Sequence, residues 1–261
     1  MGELQPHVED DFEPLKTAVV YKDALYDHLW EKGHYTNDLE RILSAHGVEI
    51  LTPLDITKPR GYWARDPLYV VDQHAFVAPQ HGRRREEYEL MQELLQDEGI
   101  PHTTVKVDGG DVLLPDRSRL FVGLHGRSEE EADVVCDEIA AVTHRIVVAV
   151  HHTGVHLDTC IAPLPDHRLL MHPDRITTQS RLRLEEIFGR SQIREVTSPP
   201  TANDPILNLL WLNPTTVLAP VNGIGDLLRG DGYTVIEMEG GEKKDGNARC
   251  AVAPLIRRSI E

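Results

Sequence analysis

Cysteine and aromatic residues are both sparse in this chain: three Cys in 261 residues, and 5% Phe, Trp and Tyr together. Three thiols, Cys136, Cys160 and Cys250, cannot all pair, and their spacing matches no disulfide or zinc framework. A reduced, cytoplasmic setting is therefore expected. No apolar run approaches the roughly 20 residues needed to span a bilayer. The segment from Met1 to Pro6 has no signal-peptide hydrophobic region, and Pro6 stands where myristoylation wants Ser or Thr. Positive charge is short as well, with 27 Lys and Arg against 43 Asp and Glu, a net −16. That balance argues against nucleic acid, which wants clustered cations. It favours solubility, and it can steer a cationic substrate inward. No Gly-x-Gly-x-x-Gly occurs, so the competing reading of a doubly wound dinucleotide-binding sheet lacks its phosphate fingerprint.

What is present is an ordinary globular composition, 40% hydrophobic and 27% charged. The length suits a single domain spanning residues 1–261 with a sizeable core. Short β-branched runs alternate with amphipathic patterns, an α/β arrangement. Strands are predicted at Thr17–Tyr21, Val48–Leu51, Leu68–Val71, Ala75–Ala78, Thr103–Val107, Val112–Leu114, Leu120–Val122, Ile146–Val150, Leu169–Met171, Leu209–Leu212, Thr216–Leu218, Tyr233–Met238 and Ala251–Ile256. Helices are predicted over 36–46, 84–98, 128–142, 177–188 and 222–229. The third opens on a Ser128/Glu131 capping box, and the fourth is expected to turn Leu182, Leu184, Ile187 and Phe188 inward. The helices end at Gly47, Gly99, His144, Gly189 and Gly232, about 52, 45, 45 and 43 residues apart, each followed by a strand. Four of these five stops are glycine, which favours a left-handed terminus. A period in this range marks repeated supersecondary units, and five of them can close into a ring.

Three segments carry candidate chemistry. Cys250 opens the apolar stretch Cys-Ala-Val-Ala-Pro-Leu directly after Arg249, a placement that suits a nucleophilic thiolate. Cys136 and Cys160 read as packing residues. His156 and Asp158, two apart, share a face if the segment is a strand, and can then act as proton shuttle and cation clamp. Read as a metal site, the stretch from His151 to Asp158 has the wrong spacing for helical His ligands. Asp108-Gly109-Gly110-Asp111 lies between two predicted strands, where its glycines allow a tight turn or close backbone approach to a ligand. Asp66, in Trp63-Ala-Arg-Asp-Pro67, ordinarily reads as part of a surface turn.

Together with Arg84-Arg-Glu-Glu and the Phe121-Val-Gly-Leu-His-Gly-Arg127 stretch, these motifs resemble the guanidino-group-modifying superfamily of dimethylarginine dimethylaminohydrolases, arginine deiminases and amidinotransferases. They fall in family order across nearly the whole chain. The resemblance implies the pentein fold, a five-bladed α/β propeller of pseudo-fivefold ββαβ repeats. It implies that Cys250 attacks a guanidinium carbon, His156 is the proton shuttle and Asp108 holds the imidazole. Asp66, Asp158 and Asp111 bind substrate, and Arg84 and Arg127 take an amino-acid carboxylate. The implied reaction is hydrolysis of arginine or an N-substituted (methylated) arginine to citrulline and ammonia or alkylamine, without metal or other cofactor. Amidino transfer to an amine and arginine dihydrolysis to ornithine, ammonia and CO2 share the covalent first half. A non-catalytic pentein binding protein is the alternative of another class. The expected partner is a small arginine-like molecule, with no nucleic acid or membrane, and a homodimer is the expected assembly.

Overall fold

The computed structural model describes residues 8, 10–21, 34–52, 63–80, 85–197, 205–221, 224–238 and 247–257. Its strands form five three-stranded sheets. Numbered in chain order, the second sheet contains β3 (Leu68–Val71), β4 (His74–Val77) and β5 (His102–Thr104), with helix α2 (Arg85–Asp97) between β4 and β5. The third contains β6 (Val112–Leu113), β7 (Arg119–Leu124) and β8 (Ile146–His151), with α3 (Glu129–Thr143). The fourth contains β9 (Ile161–Pro163), β10 (Leu169–Met171) and β11 (Ile193–Glu195), with α4 (Thr178–Phe188). The fifth contains β12 (Leu210–Asn213), β13 (Thr216–Pro220) and β14 (Thr234–Met238), with α5 (Ile224–Gly230). In each, the first two strands pair antiparallel, and the strand after the helix pairs parallel to the middle one. The first sheet keeps this pattern with strands from both ends of the sequence. β15 (Val252–Arg257) runs antiparallel to β1 (Leu15–Val20), and β2 (Glu49–Leu51) runs parallel to β1 after α1 (His34–Ala45).

The five helix stops are all left-handed. Gly47, Gly99, Gly189 and Gly232 have φ of 71°, 69°, 82° and 93°, and His144, without a glycine's freedom, still takes φ 57°. The Ser128/Glu131 capping box closes as the spacing predicts, each residue's side chain bonding the other's backbone N–H. Helix faces follow the apolar periodicity: Leu39, Ile42 and Leu43 are buried from α1, Met91 and Leu95 from α2, Ala132, Val135 and Ile139 from α3. Burying one such Leu or Ile contributes about 1.5–3 kcal/mol.

Some expectations are corrected. Leu182 is 56% exposed and only Leu184 of its helix is a fully buried apolar residue, because Leu182 falls on the outer side of a short helix with weak periodicity. Cys136 is half-buried rather than fully packed. The strand expected at Thr103–Val107 ends at Thr104, where its parallel partner β4 runs out. Ile161–Pro163 is a strand that β-propensity did not suggest, since a proline closes it. Residues 222–223, the start of the fifth predicted helix, lie outside the described residues. Among the described residues, no helix is long and apolar enough to cross a membrane.

Candidate active site

The turn at 63–67 is the hub of the site. Arg65, expected on the surface, is 1% exposed. Its backbone N–H donates to the Cys250 carbonyl (3.0 Å), while its guanidinium donates to the carbonyls of Gly109 (3.0 Å) and Val112 (2.9 Å). Gly109 N–H in turn donates to Asp66 O at 2.9 Å. Three distant pieces of chain are thereby tied through one side chain and its own backbone. The approach is close enough to require glycine: a Cβ on Gly109 would lie 2.0 Å from the Arg65 carbonyl oxygen.

Residues 109–111 are one turn of 3-10 helix, with Asp108 at its N-terminal flank. His156 likewise flanks a 3-10 turn, Leu157–Thr159. The same-face strand argument for His156 and Asp158 is therefore corrected: a tight turn, not a pleat, sets their directions. The His156 ring lies against Gly110, where a Cβ would sit 2.5 Å from Nδ1. Its Nε2 is 3.4 Å from Asp108 Oδ2 and its Nδ1 3.7 Å from Asp66 Oδ1. Gln80 Nε2 donates to the other Asp108 oxygen at 2.8 Å and fixes that carboxylate.

Cys250 sits on a one-turn helix, α6 (Ala248–Ala251), capped by the Asn247 side chain, which accepts from Ala248 N–H at 2.7 Å. Its sulfur is 3.9 Å from Asp158 Oδ2 and accepts a hydrogen bond from Asn208 Nδ2 at 3.0 Å. The same Asn208 nitrogen donates to Asp158 Oδ2 at 2.9 Å, and its Oδ1 accepts from Cys250 N–H at 3.3 Å. Asn208 thus orients nucleophile and carboxylate together. It is fully buried, and its one signal in the sequence was a polar residue alone in the apolar run 206–212. Asp158 Oδ1 is buried with no hydrogen-bond partner among the described residues, so an N–H donor can be received there. The side chains of His156 and Asp108 are 15% and 36% exposed, whereas Cys250 is 3% exposed.

Electrostatics favour a cationic ligand. Burial pushes the Asp158 carboxyl up to about 6, against the pull of Arg249 and His156. Burial also drives the Cys250 thiol well above its ordinary value, and Asp158 and Asp66 add to it. Arg249 lies close enough to favour the thiolate, but it is shared with Asp11 (2.9 Å) and Asp158 (3.6 Å), and burial with the two carboxylates outweighs it. Burial opposes charge on His156, but Asp66 and Asp108 outweigh it and hold the imidazolium. Asp66, Asp108 and Asp158 surround one imidazole, Arg249 and Arg65 offset Asp158, and a cation arriving beside the thiol favours the thiolate.

The remaining expected residues lie elsewhere or differently. Asp111 turns one carboxylate oxygen to His152 (3.1 Å) and to Leu157 N–H (2.8 Å). Arg127 donates to the Lys106 carbonyl. Arg84 lies outside the described residues.

No protein-family model matches the sequence. An uncharacterized protein of Caenorhabditis elegans is 26% identical, over 95% of this chain and 90% of that one. Solved structures are similar over nearly the whole length. The N-terminal domain of ArgZ, an arginine dihydrolase of the cyanobacterial ornithine–ammonia cycle, aligns at TM-score 0.75 and 18% identity, over 94% of this chain and 99% of that one. SxtG, an amidinotransferase of Microseira wollei, aligns at 0.73 and 14%, over 98% of each. The chain has the pentein fold. Inosamine-phosphate amidinotransferase StrB1 of Streptomyces griseus shares this pentein's architecture at 0.75 and 16%, over 98% and 97%.

Proposed function

We propose that this pentein is a cysteine hydrolase of the guanidinium carbon of arginine or an N-substituted arginine. The observation that carries the reading is that the Cys250 sulfur lies beside Asp158 and near Asp66, the two carboxylates that also act on His156, whose ring in turn meets Asp108. A guanidinium is flat, cationic and rich in N–H donors, so buried carboxylates match it in charge and in geometry. Asp158 Oδ1 and Asp66 receive its N–H groups. The arriving cation favours release of the Cys250 proton to solvent, His156 being already protonated, and the thiolate sulfur attacks the central carbon. The His156 imidazolium protonates the departing amine, the C–N bond breaks, and a thiouronium remains on the sulfur. Neutral His156 then takes a proton from water. The resulting hydroxide adds to the carbon, the C–S bond breaks, and a ureido product leaves with the thiolate restored. For arginine the products are citrulline and ammonia. Asp108, 3.4 Å from Nε2, holds the ring throughout.

Amidino transfer is the second reading, supported by the amidinotransferases among the structural neighbours. It differs only in the acceptor, an amine in place of water. A panel of arginine, methylated arginines and simple guanidines, with and without glycine as acceptor, tests both by ammonia, alkylamine and ureido product together. Hydrolysis predicts a ureido product without glycine, whereas transfer predicts product only with it. No product from any compound, or full turnover in Cys250→Ser with no sulfur adduct by mass spectrometry, sinks the enzymatic reading.

A further inference from the structure

Four residues before His156 the chain holds a second imidazole, His152, whose side chain is 0% exposed. Its Nε2 is 3.1 Å from Asp111 Oδ1 and its Nδ1 is 3.7 Å from Cys160 Sγ. Both partners then reach the same peptide bond, the one joining His156 to Leu157. Asp111 Oδ1 accepts from Leu157 N–H at 2.8 Å. Cys160 Sγ donates to His156 O at 3.3 Å, beside Thr159 Oγ1, which donates to the same oxygen at 2.7 Å. An imidazolium completes this circuit with every donor facing an acceptor. One ring N–H faces the carboxylate and the other faces the sulfur, whose own proton faces the carbonyl.

The packing around the ring is equally specific. Gly123 of β7 leaves room for the convergence: a Cβ there would lie 2.5 Å from Asp111 Oδ1, 2.8 Å from His152 Nε2 and 2.8 Å from Leu157 Cβ. Gly154 does the same for the thiol, where a Cβ would lie 2.4 Å from Cys160 Sγ. His125, on the outer side, contacts the His152 carbonyl through Nδ1 at 3.3 Å. Among the described residues the side chains of this circuit bond neither Cys250 nor Asp158, while Leu157 and Thr159 flank Asp158 in the chain, so its effect on chemistry passes through the backbone that directs His156 and Asp158.

We propose that His152 is a positioning residue for His156: through Asp111 and Cys160 it fixes both faces of the His156–Leu157 peptide, and so the angle at which the site imidazole meets Asp108 and the leaving amine. The assignment gives Asp111 a supporting place in the site rather than contact with substrate. It rests on the hydrolase reading for its kinetic consequence, but not for its structural one.

The test uses the whole chain in three forms: wild type, His152→Ala, and His152→Gln, whose amide N–H can still reach Asp111. Alkylation of Cys250 by 2-chloroacetamidine, a cationic amidine electrophile, is compared with alkylation by neutral chloroacetamide. A wild-type thiol that shows no preference for the amidine overturns the hydrolase reading alone. The His156 ring is followed in parallel by nitrogen-resolved NMR through a pH titration. His152→Ala is expected to move the His156 resonances and its titration midpoint, to keep amidine alkylation within about threefold, and to lower kcat about 100-fold with little change in KM, as for a misdirected catalytic group. His152→Gln is expected to recover most of that loss. An unmoved His156 titration in folded His152→Ala, or equal losses in Ala and Gln variants, overturns the inference. If His152→Ala does not fold, Asp111→Asn is read in the same way, since its amide oxygen can still accept from Leu157 while the ion pair to His152 is gone.

Discussion

His156 and His152 are four residues apart, each near an aspartate, and each is linked to a cysteine: His152 directly to Cys160, His156 to Cys250 through Asp158 and Asp66. Around His152 the geometry is closed. Ring, carboxylate and thiol meet one another or the backbone, and the imidazole is sealed from solvent. Around His156 it is open. The ring is partly exposed, and a buried oxygen of Asp158 has no donor among the described residues. On the reading proposed above, the same three residue types make a strut in one place and a receptor in the other, and what separates them is unused hydrogen-bonding capacity beside a partly exposed ring.

The sharpest way to break that comparison is to remove each thiol. Cys250→Ser should abolish turnover, by about 10⁴-fold or more, and abolish the covalent adduct by mass spectrometry. Cys160→Ser should retain the adduct and lose no more than about tenfold. Equal losses would mean that the two sets are not different in kind.

Next in size is Asp158→Asn. It keeps the shape and removes the charge that meets the cation, and kcat/KM should fall about 100-fold, with neutral electrophiles much less affected. Because burial raises the Asp158 carboxyl to about 6, the wild-type kcat/KM should itself decline as pH drops below that value, the protonated carboxyl no longer attracting a guanidinium. A profile flat down to pH 5 would contradict this. Asn208→Ala should have a milder effect, about tenfold in kcat. It should also shift the pH dependence of Cys250 alkylation upward, because a hydrogen bond that favours the thiolate is lost.

The last effect is on stability rather than turnover, and it belongs to the closed set. Burial opposes charge on His152, but the Asp111 hydrogen bond and Cys160 outweigh it and raise the ring from 6.5 to about 9. A folded-state value above the unfolded one means stability present in full below pH 6.5 and lost as pH rises through about 9. The difference is on the order of 3 kcal/mol. Urea unfolding of wild type and His152→Gln at the two ends of that window should show the wild type losing the larger share, with His125 the neighbouring ring to keep in view.

Local chemistry made much of the fold readable. Left-handed stops at Gly47, Gly99, His144, Gly189 and Gly232 are decided within a few residues of chain, and they carried the fivefold period with them. Residues whose surroundings come from far away stayed hidden. Arg65 next to Asp66 has the composition of a surface turn, and only Gly109, Val112 and Cys250 arriving from elsewhere bury it. Asn208, a single polar residue in an apolar run, gave no sign of its partners for the same reason. His156 and Asp158 were identified by type, but a spacing of two fits a strand and a 3-10 turn alike, so their directions were not fixed by the sequence. Asp111 stood next to glycines that suggested a ligand, and the buried His152 that takes its oxygen gave no local sign.

The pairing of β15 with β1 has a further consequence. Val20 lies opposite Val252, two residues beyond the reactive sulfur, so the edge that seats this thiol joins the ends of the sequence. During synthesis β1 emerges from the ribosome long before its partner exists, and it waits through the making of the other four sheets. A nascent chain therefore acquires the turns that hold His156 and Asp108 first and Cys250 last, and the first sheet is complete only when the closing strand docks.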